Sequence, residues 1–369
     1  MTSNEWLSIG YDKGIIEDIP DNEQVSFYAA YRKWFLYKMK TIKPESLDRI
    51  ECTFNRYYRD DEICITSLHL IDNEYIVSFL RRSFPSLCDL SLKEFRRFYQ
   101  IINNVLVYAR DFNFGHANLI DWGYVNRFGR GSVSPVIVKD EYAVSERDRN
   151  VLFRDVVFND VYPLKRSAAL CVVLDFFLGL RIGELAALKF SDFDLFGKRL
   201  FVQRNEVKYF SRDDSGERAG TVRYEVVDDL KTKSSRRVVP LVPEALFVYE
   251  LIVEHHKQCK YDSPYLCYDG TDTIRTRSLS RTLDRLCKLC CIKSFNFHRI
   301  RKTYASMLHM NGLPTRVISS MLGHSDISTT EQLYILDYED KYSTFYTDIC
   351  TALKNVALGT PEIKDKHEA

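Results

Sequence analysis

Four short segments of this 369-residue sequence contain cationic or nucleophilic side chains that could act together on one anion. The first segment is Gly179-Leu-Arg181-Ile-Gly-Glu184. A helix that ends at Gly179, just before the next helix begins, would place Arg181 at a helix N-terminus, which favours anions. Arg181 adds a permanently charged guanidinium, and Glu184 could hold it in place. The alternative is a purely structural Arg–Glu pair at a helix corner.

The second segment places Lys231 in the turn of a predicted β-hairpin, whose strands are Thr221 to Val227 and Arg237 to Leu241. A lysine at a hairpin tip can reach into a groove and donate a proton. Taken alone, such a lysine is more often a solvated turn residue. Lys233, two positions further on, is the near neighbour that could be mistaken for it.

The third segment contains His298 and Arg301, which are three positions apart and therefore share one face of a predicted helix. Together they offer a titratable donor and a fixed cation to one target. The alternative is an exposed polar helix face in a basic region.

The fourth segment runs from Leu322-Gly-His324 to Tyr334. Ser328 and Glu331 have the spacing of a capping box, so a helix is predicted to begin there. Tyr334 then lies nearly two turns into that helix, with His324 in the preceding loop. The alternative is that Tyr334 is a core tyrosine, one of 23 in the chain.

In combination the four segments are far more specific than any one of them. Six positions, in this order, resemble the active-site residues of the tyrosine recombinase (phage integrase) family: Arg181, Lys231, His298, Arg301, His324 and Tyr334. The flanking words "GLRIGELAALKFSDFD", "LKTKSSRRVVPL", "FHRIRKTYASML" and "MLGHSDISTTEQLY" also resemble the family, and in particular integrases of bacterial mobile elements. The resemblance covers residues 145 to 355 strongly and residues 23 to 125 more weakly.

The resemblance implies phosphoryl transfer without hydrolysis. Arg181 and Arg301 would bind the non-bridging oxygens of a DNA phosphate, and His324 would add a donor to them. Tyr334 would attack the phosphorus with His298 as its base, and the hairpin lysine would protonate the departing 5′ oxygen. The products would be a 3′-phosphotyrosyl linkage and a free 5′-hydroxyl, and the reaction would need no metal, ATP or other cofactor.

The sequence departs from the family pattern in three places. Lys302 follows the second arginine, where many members have histidine. Tyr338 is a rival nucleophile, although the family spacing from the Gly-His word favours Tyr334. The N-terminal arm is shorter than the small β-sheet arm-binding domain of many integrases, so the resemblance does not extend to binding of distant arm-type DNA sites.

The resemblance also implies a fold that is mainly α with a small β-sheet: a helical core-binding (SAM-like) domain and a mixed α/β catalytic domain. Helical periodicity over residues 24–59 (broken at Pro44), 70–82 and 91–112 supports the first domain. The predicted organisation is a short arm (1–22), a helical core-type DNA-binding domain (23–125), an interdomain linker (126–142), a catalytic domain (143–356) and a C-terminal tail (357–369).

Within the catalytic domain the apolar pattern predicts many short elements. The predicted strands are 200–202, 221–227 and 237–241. The predicted helices are 145–159, 167–178, 182–188, 243–257, 278–291, 297–310, 314–321, 328–335 and 342–356.

The net charge is only +1, but positive charge is concentrated locally. Between Arg275 and Lys302 there are nine Lys or Arg and one acid, Asp284, so the local excess is +8. Such a face can neutralise several phosphates, although it could also be a solvated helix surface. The residues predicted to contact DNA are Arg127, Arg130, Lys233, Arg275, Arg277, Arg281 and Lys302.

Ten cysteines, several of them within apolar runs, are typical of a reducing compartment. Cys287, Cys290 and Cys291 raise the possibility of a zinc protein, but no second pair follows at zinc-ribbon spacing. No apolar stretch is long enough to span a membrane. These features predict a cytoplasmic protein, and the family resemblance implies a bacterial one that is associated with the nucleoid when it is bound to DNA.

The partners that the resemblance implies are double-stranded DNA recombination sites, further copies of the chain in a tetramer on DNA, and accessory DNA-bending or excisionase proteins. Two other functions remain open at this point. One is a type IB topoisomerase-like enzyme that relaxes supercoils by the same chemistry. The other is a catalytically silent DNA-binding regulator.

Overall fold

A computed structural model describes residues 25–84, 92–129, 143–228, 236–323, 346–351 and 353. Its helices are α1 (Phe27–Thr41), α2 (Pro44–Tyr57), α3 (Asn73–Ser83), α4 (Leu92–Asp111), α5 (Trp122–Gly129), α6 (Glu146–Val157), α7 (Arg166–Leu178), α8 (Ile182–Ala186), α9 (Pro243–Cys259), α10 (Thr276–Leu289), α11 (Phe297–Met310) and α12 (Thr315–Leu322). Its strands are β1 (Phe193–Asp194), β2 (Arg199–Val202), β3 (Asn205–Arg212), β4 (Arg218–Val227) and β5 (Arg237–Pro240). The chain divides into two compact units.

The first unit is built from α1 to α5 around an aromatic core. Ser26 caps α1 by accepting a hydrogen bond from the backbone of Ala29, and a proline opens α2. The rings of Tyr31 and Phe54 stack with their centroids 3.6 Å apart, and the ring of Tyr58 also stacks with Phe54, at a centroid distance of 5.5 Å. The helical domain predicted from periodicity is therefore present and has its own core.

A segment that was predicted to belong to the catalytic domain completes this helical unit. Residues 208–223, which form the outer part of the β3–β4 pair, cluster with the helices rather than with the rest of the catalytic sequence. Arg212 explains this placement, because it reaches Asp48 and Glu51 of α2 at 2.6 and 2.8 Å. The sequence boundaries therefore need correction here, since long-range ion pairs and not chain continuity decide where the segment packs.

The second unit surrounds α7, in which every residue from Ser167 to Leu178 is buried. A helix that is apolar on all sides is stable only when it is covered on all sides, and here α6, α9, α10 and α11 pack around it. A three-stranded antiparallel sheet with the order β1-β2-β5 lies in the same unit. In its register, Leu200 of β2 faces Val239 of β5, and both are fully buried.

The hairpin predicted around Lys231 is wrong in its pairing. Strand β4 pairs with β3, whereas β5 pairs with β2, so the two strands that flank residues 229–235 belong to different sheets. The prediction overlooked β3, which occupies the pairing edge of β4. Strand β5 instead forms its backbone hydrogen bonds with β2, and its buried side chain Val239 packs in the core of the second unit.

The helices of the second unit agree with the predicted ones to within two residues at each end between α6 and α12. One difference lies earlier in the chain, where α5 runs to Gly129 and so includes part of the expected linker. Arg127 is therefore an exposed residue of a helix and not of a linker. Near the C-terminus, Ile349 and Leu353 are buried in the core of the second unit, so this part of the predicted last helix packs on its own domain.

Two absences concern only the parts of the chain that the structure describes. None of the helices seen there is both long and apolar enough to cross a bilayer. No group of three potential metal ligands occurs among those residues either. Cys287 and Cys290 are buried with their pKa values raised by burial, whereas Cys291 is exposed.

Candidate active site

The site begins where α7 ends. Gly179 terminates the helix in the left-handed conformation, with φ of 60°, and its amide donates to the carbonyl of Asp175 at 2.8 Å. A side chain here would place a Cβ only 2.4 Å from Cδ1 of the buried Tyr304 ring. Glycine is therefore required both by the backbone conformation and by the close packing of α11.

Arg181 lies two residues after Gly179 and is the N-cap of α8, as the sequence predicted. Its backbone amide donates to Glu184 Oε2 at 2.8 Å, and its Nη1 donates to Glu184 Oε1 at 2.8 Å. The Arg181 side chain remains 42% exposed. The predicted role of Glu184 in holding Arg181 therefore agrees with this geometry, and the guanidinium is still open to a ligand.

A second arginine, Arg237 of β5, was missed by the sequence reasoning. Its Nη1 and Nη2 donate to the two carboxylate oxygens of Glu184 at 2.9 and 2.7 Å. The side chains of Arg237 and Glu184 are 1% and 2% exposed. The only signal in the sequence was indirect: Arg237 opens the apolar strand Arg-Val-Val-Pro, and a cation in such a strand needs a buried anion as its partner.

Arg301, the third arginine, lies on α11 and is buried. Its Nη1 donates to the carbonyl of Gly179 at 2.8 Å, and its Nη2 donates to the carbonyl of Leu322. Burial, together with the positive charges of Arg181 and Arg237, lowers the pKa of Arg301 to about 10. An anion close to this guanidinium would therefore be stabilised, because it would relieve the repulsion among the three cations.

The three arginines converge on the C-terminal end of α12. The consecutive carbonyls of Met321, Leu322 and Gly323 accept hydrogen bonds from Arg237, Arg301 and Arg181 respectively. These carbonyls have no acceptor role inside the helix, and they carry the negative end of its dipole. Three arginines from distant parts of the sequence are thus held on one helix end, directly before His324 in the chain.

Glu184 and Asp175 are the two acids of the cluster. Burial alone would raise the pKa of Glu184, but the hydrogen bonds and charge of Arg237, with those of Arg181, lower it to about 2. Burial raises the pKa of Asp175 to about 8, so it is largely protonated at neutral pH. Three guanidinium groups and one carboxylate leave an excess of two positive charges, which suits a phosphate.

Of the four remaining predicted catalytic residues, one lies within the described part of the chain and three lie outside it. His298 is described: it is exposed in the first turn of α11, which Asn296 caps by accepting from the amide of Arg299 at 2.9 Å. Lys231, His324 and Tyr334 lie outside the described residues. The structure therefore brings together Arg181 and Arg301, and the positions of these three residues stay predictions.

The predicted DNA contacts are partly described. Arg277 and Arg281 are exposed one turn apart on α10, which is an arrangement that could follow a phosphate backbone. Arg275 is half-buried, pairs with Asp272 at 3.0 Å and lies over the ring of Tyr224. Lys302 is also half-buried, whereas Arg130 and Lys233 lie outside the described residues.

Comparison with known proteins now identifies the family. Residues 159–340 match the model of the phage integrase family. These residues form a phage integrase family domain. The arginine cluster and its supporting Glu184 lie within the matched residues.

Two curated relatives differ in how much of the chain they share. A protein named tyrosine recombinase XerC-like, from Caldanaerobacter subterraneus subsp. tengcongensis, is 33% identical over 177 residues, which is 44% of each chain. The integrase of Staphylococcus phage L54a is 22% identical over 327 residues, covering 84% of this chain and 88% of the relative. This chain thus spans less than half of the XerC-like relative and most of the phage integrase.

Two solved structures share the fold of this chain. The Tn1549 transposon integrase, in complex with transposon right end DNA, has a TM-score of 0.61 at 14% identity and covers 87% of this chain and 100% of its own. The XerH site-specific recombinase bound to palindromic difH substrate has a TM-score of 0.57 at 12% identity and covers 88% and 97%. The predicted fold class, mainly helical with small sheets, is confirmed.

Proposed function

We propose that this protein is a site-specific DNA recombinase of the integrase/excisionase type, which cuts and rejoins DNA through a 3′-phosphotyrosyl intermediate at Tyr334. One observation carries the proposal. Arg181 and Arg301, from separate segments of the chain, donate to neighbouring carbonyls of one helix end, so both guanidinium groups belong to one site. The phage integrase family match over residues 159–340 supports the same chemistry.

Each side chain has a role in this reaction. Arg181, which is partly exposed to solvent, binds a non-bridging oxygen of the scissile phosphate. The buried Arg301 adds positive charge to the same site. Their charge stabilises the pentacoordinate transition state and favours ionisation of the attacking phenol of Tyr334. His298 accepts the phenolic proton and His324 donates to the phosphate, while Lys231 protonates the leaving 5′ oxygen.

The reaction conserves bond energy and therefore needs neither ATP nor a metal ion. Attack by Tyr334 on the phosphorus breaks the bond to the 5′ oxygen and forms the phosphotyrosyl bond. A 5′-hydroxyl from a second strand reverses this step and releases the tyrosine. Because a complete exchange requires four such cuts, we propose that the chain acts as a tetramer on two duplexes, with accessory DNA-bending or excisionase proteins assisting.

A trapping experiment tests the proposed chemistry. The protein is incubated with a pool of nicked duplexes of randomised sequence, in which the fragment 3′ of the cut diffuses away and prevents rejoining. We expect a covalent protein–DNA band on a denaturing gel, and its complete loss in Tyr334→Phe. If Tyr338→Phe abolishes the band instead, the nucleophile is misassigned, and if the wild type gives no band, the chain is a DNA-binding protein without catalysis.

A second assay separates recombination from supercoil relaxation. Duplexes recovered from the covalent band are sequenced, and the enriched sequence is placed in one of two otherwise identical supercoiled plasmids. A site-specific recombinase is expected to form covalent complexes only on the plasmid that contains the site. Efficient relaxation of the plasmid without the site would identify a topoisomerase-like enzyme.

A further inference from the structure

Arg237 is buried too deeply to meet a phosphate directly. Its side chain is 1% exposed, and its described hydrogen bonds run to the carboxylate of Glu184 and the carbonyl of Met321. Arg181, by contrast, is 42% exposed. Any effect of the Arg237 hydrogen bonds on the reaction must therefore pass through the groups that they hold.

Glu184 connects the buried arginine to the open one. Each of its carboxylate oxygens accepts one hydrogen bond from Arg237 and one from Arg181, all between 2.7 and 2.9 Å. Without Arg237 the carboxylate would be held only by Arg181, whose guanidinium is itself partly exposed. Because Arg237 binds both oxygens, the plane of the carboxylate is fixed, and the guanidinium of Arg181 is fixed with it.

The same guanidinium also holds the end of α12. Arg237 Nε donates to the carbonyl of Met321 at 2.6 Å, two residues before the carbonyl of Gly323 that receives Arg181 Nη2 at 2.8 Å. Arg237 thus reaches Arg181 by two routes, one through Glu184 and one through the helix end. Both routes orient the exposed guanidinium.

We infer that Arg237 is a positioning residue of the active site: without contacting DNA, it holds Glu184 and the end of α12 so that Arg181 is oriented toward the scissile phosphate. The inference rests on the function proposed above. In this view the orientation of the Arg181 guanidinium depends on the buried pair of Arg237 and Glu184, and not on Arg181 alone.

A double-mutant cycle between Arg237 and Arg181 tests this dependence on activity. The variants are Arg237→Gln, Arg181→Gln and the double variant, and the readout is the rate of covalent complex formation on the nicked-duplex pool. We expect Arg237→Gln to lower the rate about 100-fold and the double variant to lie within tenfold of Arg181→Gln alone. Losses that multiply, or an Arg237→Gln rate within threefold of wild type, would overturn the inference.

The conservative variant Arg237→Lys serves as the rescue. Lysine keeps the charge but cannot bind both oxygens of Glu184, so we expect a rate between those of wild type and Arg237→Gln. Arg199→Gln is the matched control, because Arg199 is also a strand arginine paired with an acid, Asp194, and lies outside the cluster. Its rate should equal that of wild type. If neither Arg237 variant folds, Arg237 is only a core residue and the positioning role is rejected.

Hydrogen exchange tests the same inference without activity. The amide of Arg181 is protected by Glu184 Oε2, so releasing Glu184 should speed exchange at residues 180–186 by at least tenfold in Arg237→Gln. Exchange in α9 should not change. Unchanged protection at residues 180–186, or a uniform loss across the unit, would reject the inference. If exchange at residues 180–186 is faster in Arg237→Gln as expected, but the wild type forms no covalent complex with DNA, the proposed function is refuted and the contacts of Arg237 are not.

Discussion

Glu184 shows how one carboxylate can organise several cations. It is almost fully buried, yet its pKa is lowered to about 2, because the arginines outweigh the burial that would raise it. The sequence suggested a pair with Arg181, whereas the structure shows a bridge between Arg181 and Arg237. A buried acid with two cationic partners is costly to remove, since either partner is then left without its counter-charge.

The pH dependence of stability should reveal this carboxylate. Its folded pKa of about 2 lies below the ordinary value of 4.5, so its contribution is complete above pH 4.5 and is lost as the pH falls toward 2. We expect the wild type to lose about 3 kcal/mol through this group in that window. Glu184→Gln should be less stable at pH 7 but show a flatter curve below pH 4.5.

Thermal unfolding of both proteins from pH 2 to pH 7 measures the difference. Parallel curves for wild type and Glu184→Gln would mean that Glu184 is not the group that titrates there. Asp175 acts in the opposite direction, because a pKa raised to about 8 makes its contribution most favourable below its ordinary value of 3.8 and weaker as the pH rises through 8. The two acids can therefore be distinguished by their windows.

At the scale of elements, the site depends on where helices end. Helix α7 ends in a left-handed glycine that brings its carbonyl to Arg301, and α12 ends in another, Gly323, whose carbonyl meets Arg181. Helix ends leave backbone groups without partners inside the helix, and here the arginines supply them. The catalytic geometry and the capping of these helices are therefore the same set of contacts.

Gly179→Ala tests how closely α7 and α11 must pack. The new methyl group would meet the Tyr304 ring at 2.4 Å, in a backbone conformation that alanine disfavours. We expect a loss of about 3 kcal/mol in the free energy of unfolding, from conformational strain and overpacking together. Calorimetry of the catalytic unit's transition measures this loss.

Gly312→Ala is the matched control for Gly179→Ala, because both glycines lie in the catalytic unit. Gly312 has a φ of 85°, but no atom lies within 4 Å of the point that its Cβ would occupy, so only the conformational cost applies. That cost is about 1 kcal/mol. Equal losses in the two variants would show that close packing against Tyr304 contributes nothing.

The position of the β3–β4 pair in the sequence does not predict that its residues 208–223 pack with the helical unit. The Arg212 side chain is 4% exposed and binds Asp48 and Glu51, while Arg218 also binds Glu51 at 2.6 Å. Burial raises the pKa of Glu51, but these two arginines outweigh it and lower the pKa below its ordinary value. The helical unit therefore contains a charged cluster contributed by residues far along the sequence.

Arg212→Ala should leave two half-buried carboxylates with less compensation. We expect it to destabilise the helical unit by about 3 kcal/mol. Tryptophan fluorescence during urea unfolding reports this unit, because Trp34 and Trp122 both lie in it. Arg82→Ala is the control: Arg82 also pairs with two acids of this unit but is 39% exposed, so its loss should be below about 1 kcal/mol. Similar losses for both variants would contradict the argument.

At the scale of the whole molecule, the location of the positive charges matters more than the net charge. The net charge is +1, yet Arg277 and Arg281 stand exposed on one face of α10, in the same unit as the arginine cluster. A chain with almost no net charge can bind DNA strongly if its cations are concentrated on one face. The total charge is therefore a poor guide to its partners.

The salt dependence of DNA binding checks this distribution. Each phosphate contact contributes about 0.9 to the slope of log K against log salt concentration, so Arg277→Gln with Arg281→Gln should lower the slope by about 2. Anisotropy titrations with a labelled duplex give the slope. Arg154→Gln with Arg199→Gln removes the same charge from residues outside this face, and an equal fall in that variant would refute a specific role for α10.

The sequence by itself determined the local elements and the short words on which the proposed chemistry rests. Helices α6 to α12 were predicted within two residues, because their apolar spacing and caps act over one or two turns. Arg181 and Arg301 were found from short words in the chain, and the structure places both at the end of α12.

Only the tertiary structure decided how distant segments pair. It assigned β5 to β2, residues 208–223 to the helical unit, and Arg237 to Glu184. Strand partners and buried ion pairs depend on three-dimensional proximity between residues far apart in the chain. The spacing of apolar residues, with a period of two in strands and 3.6 in helices, predicts the element but not its partner.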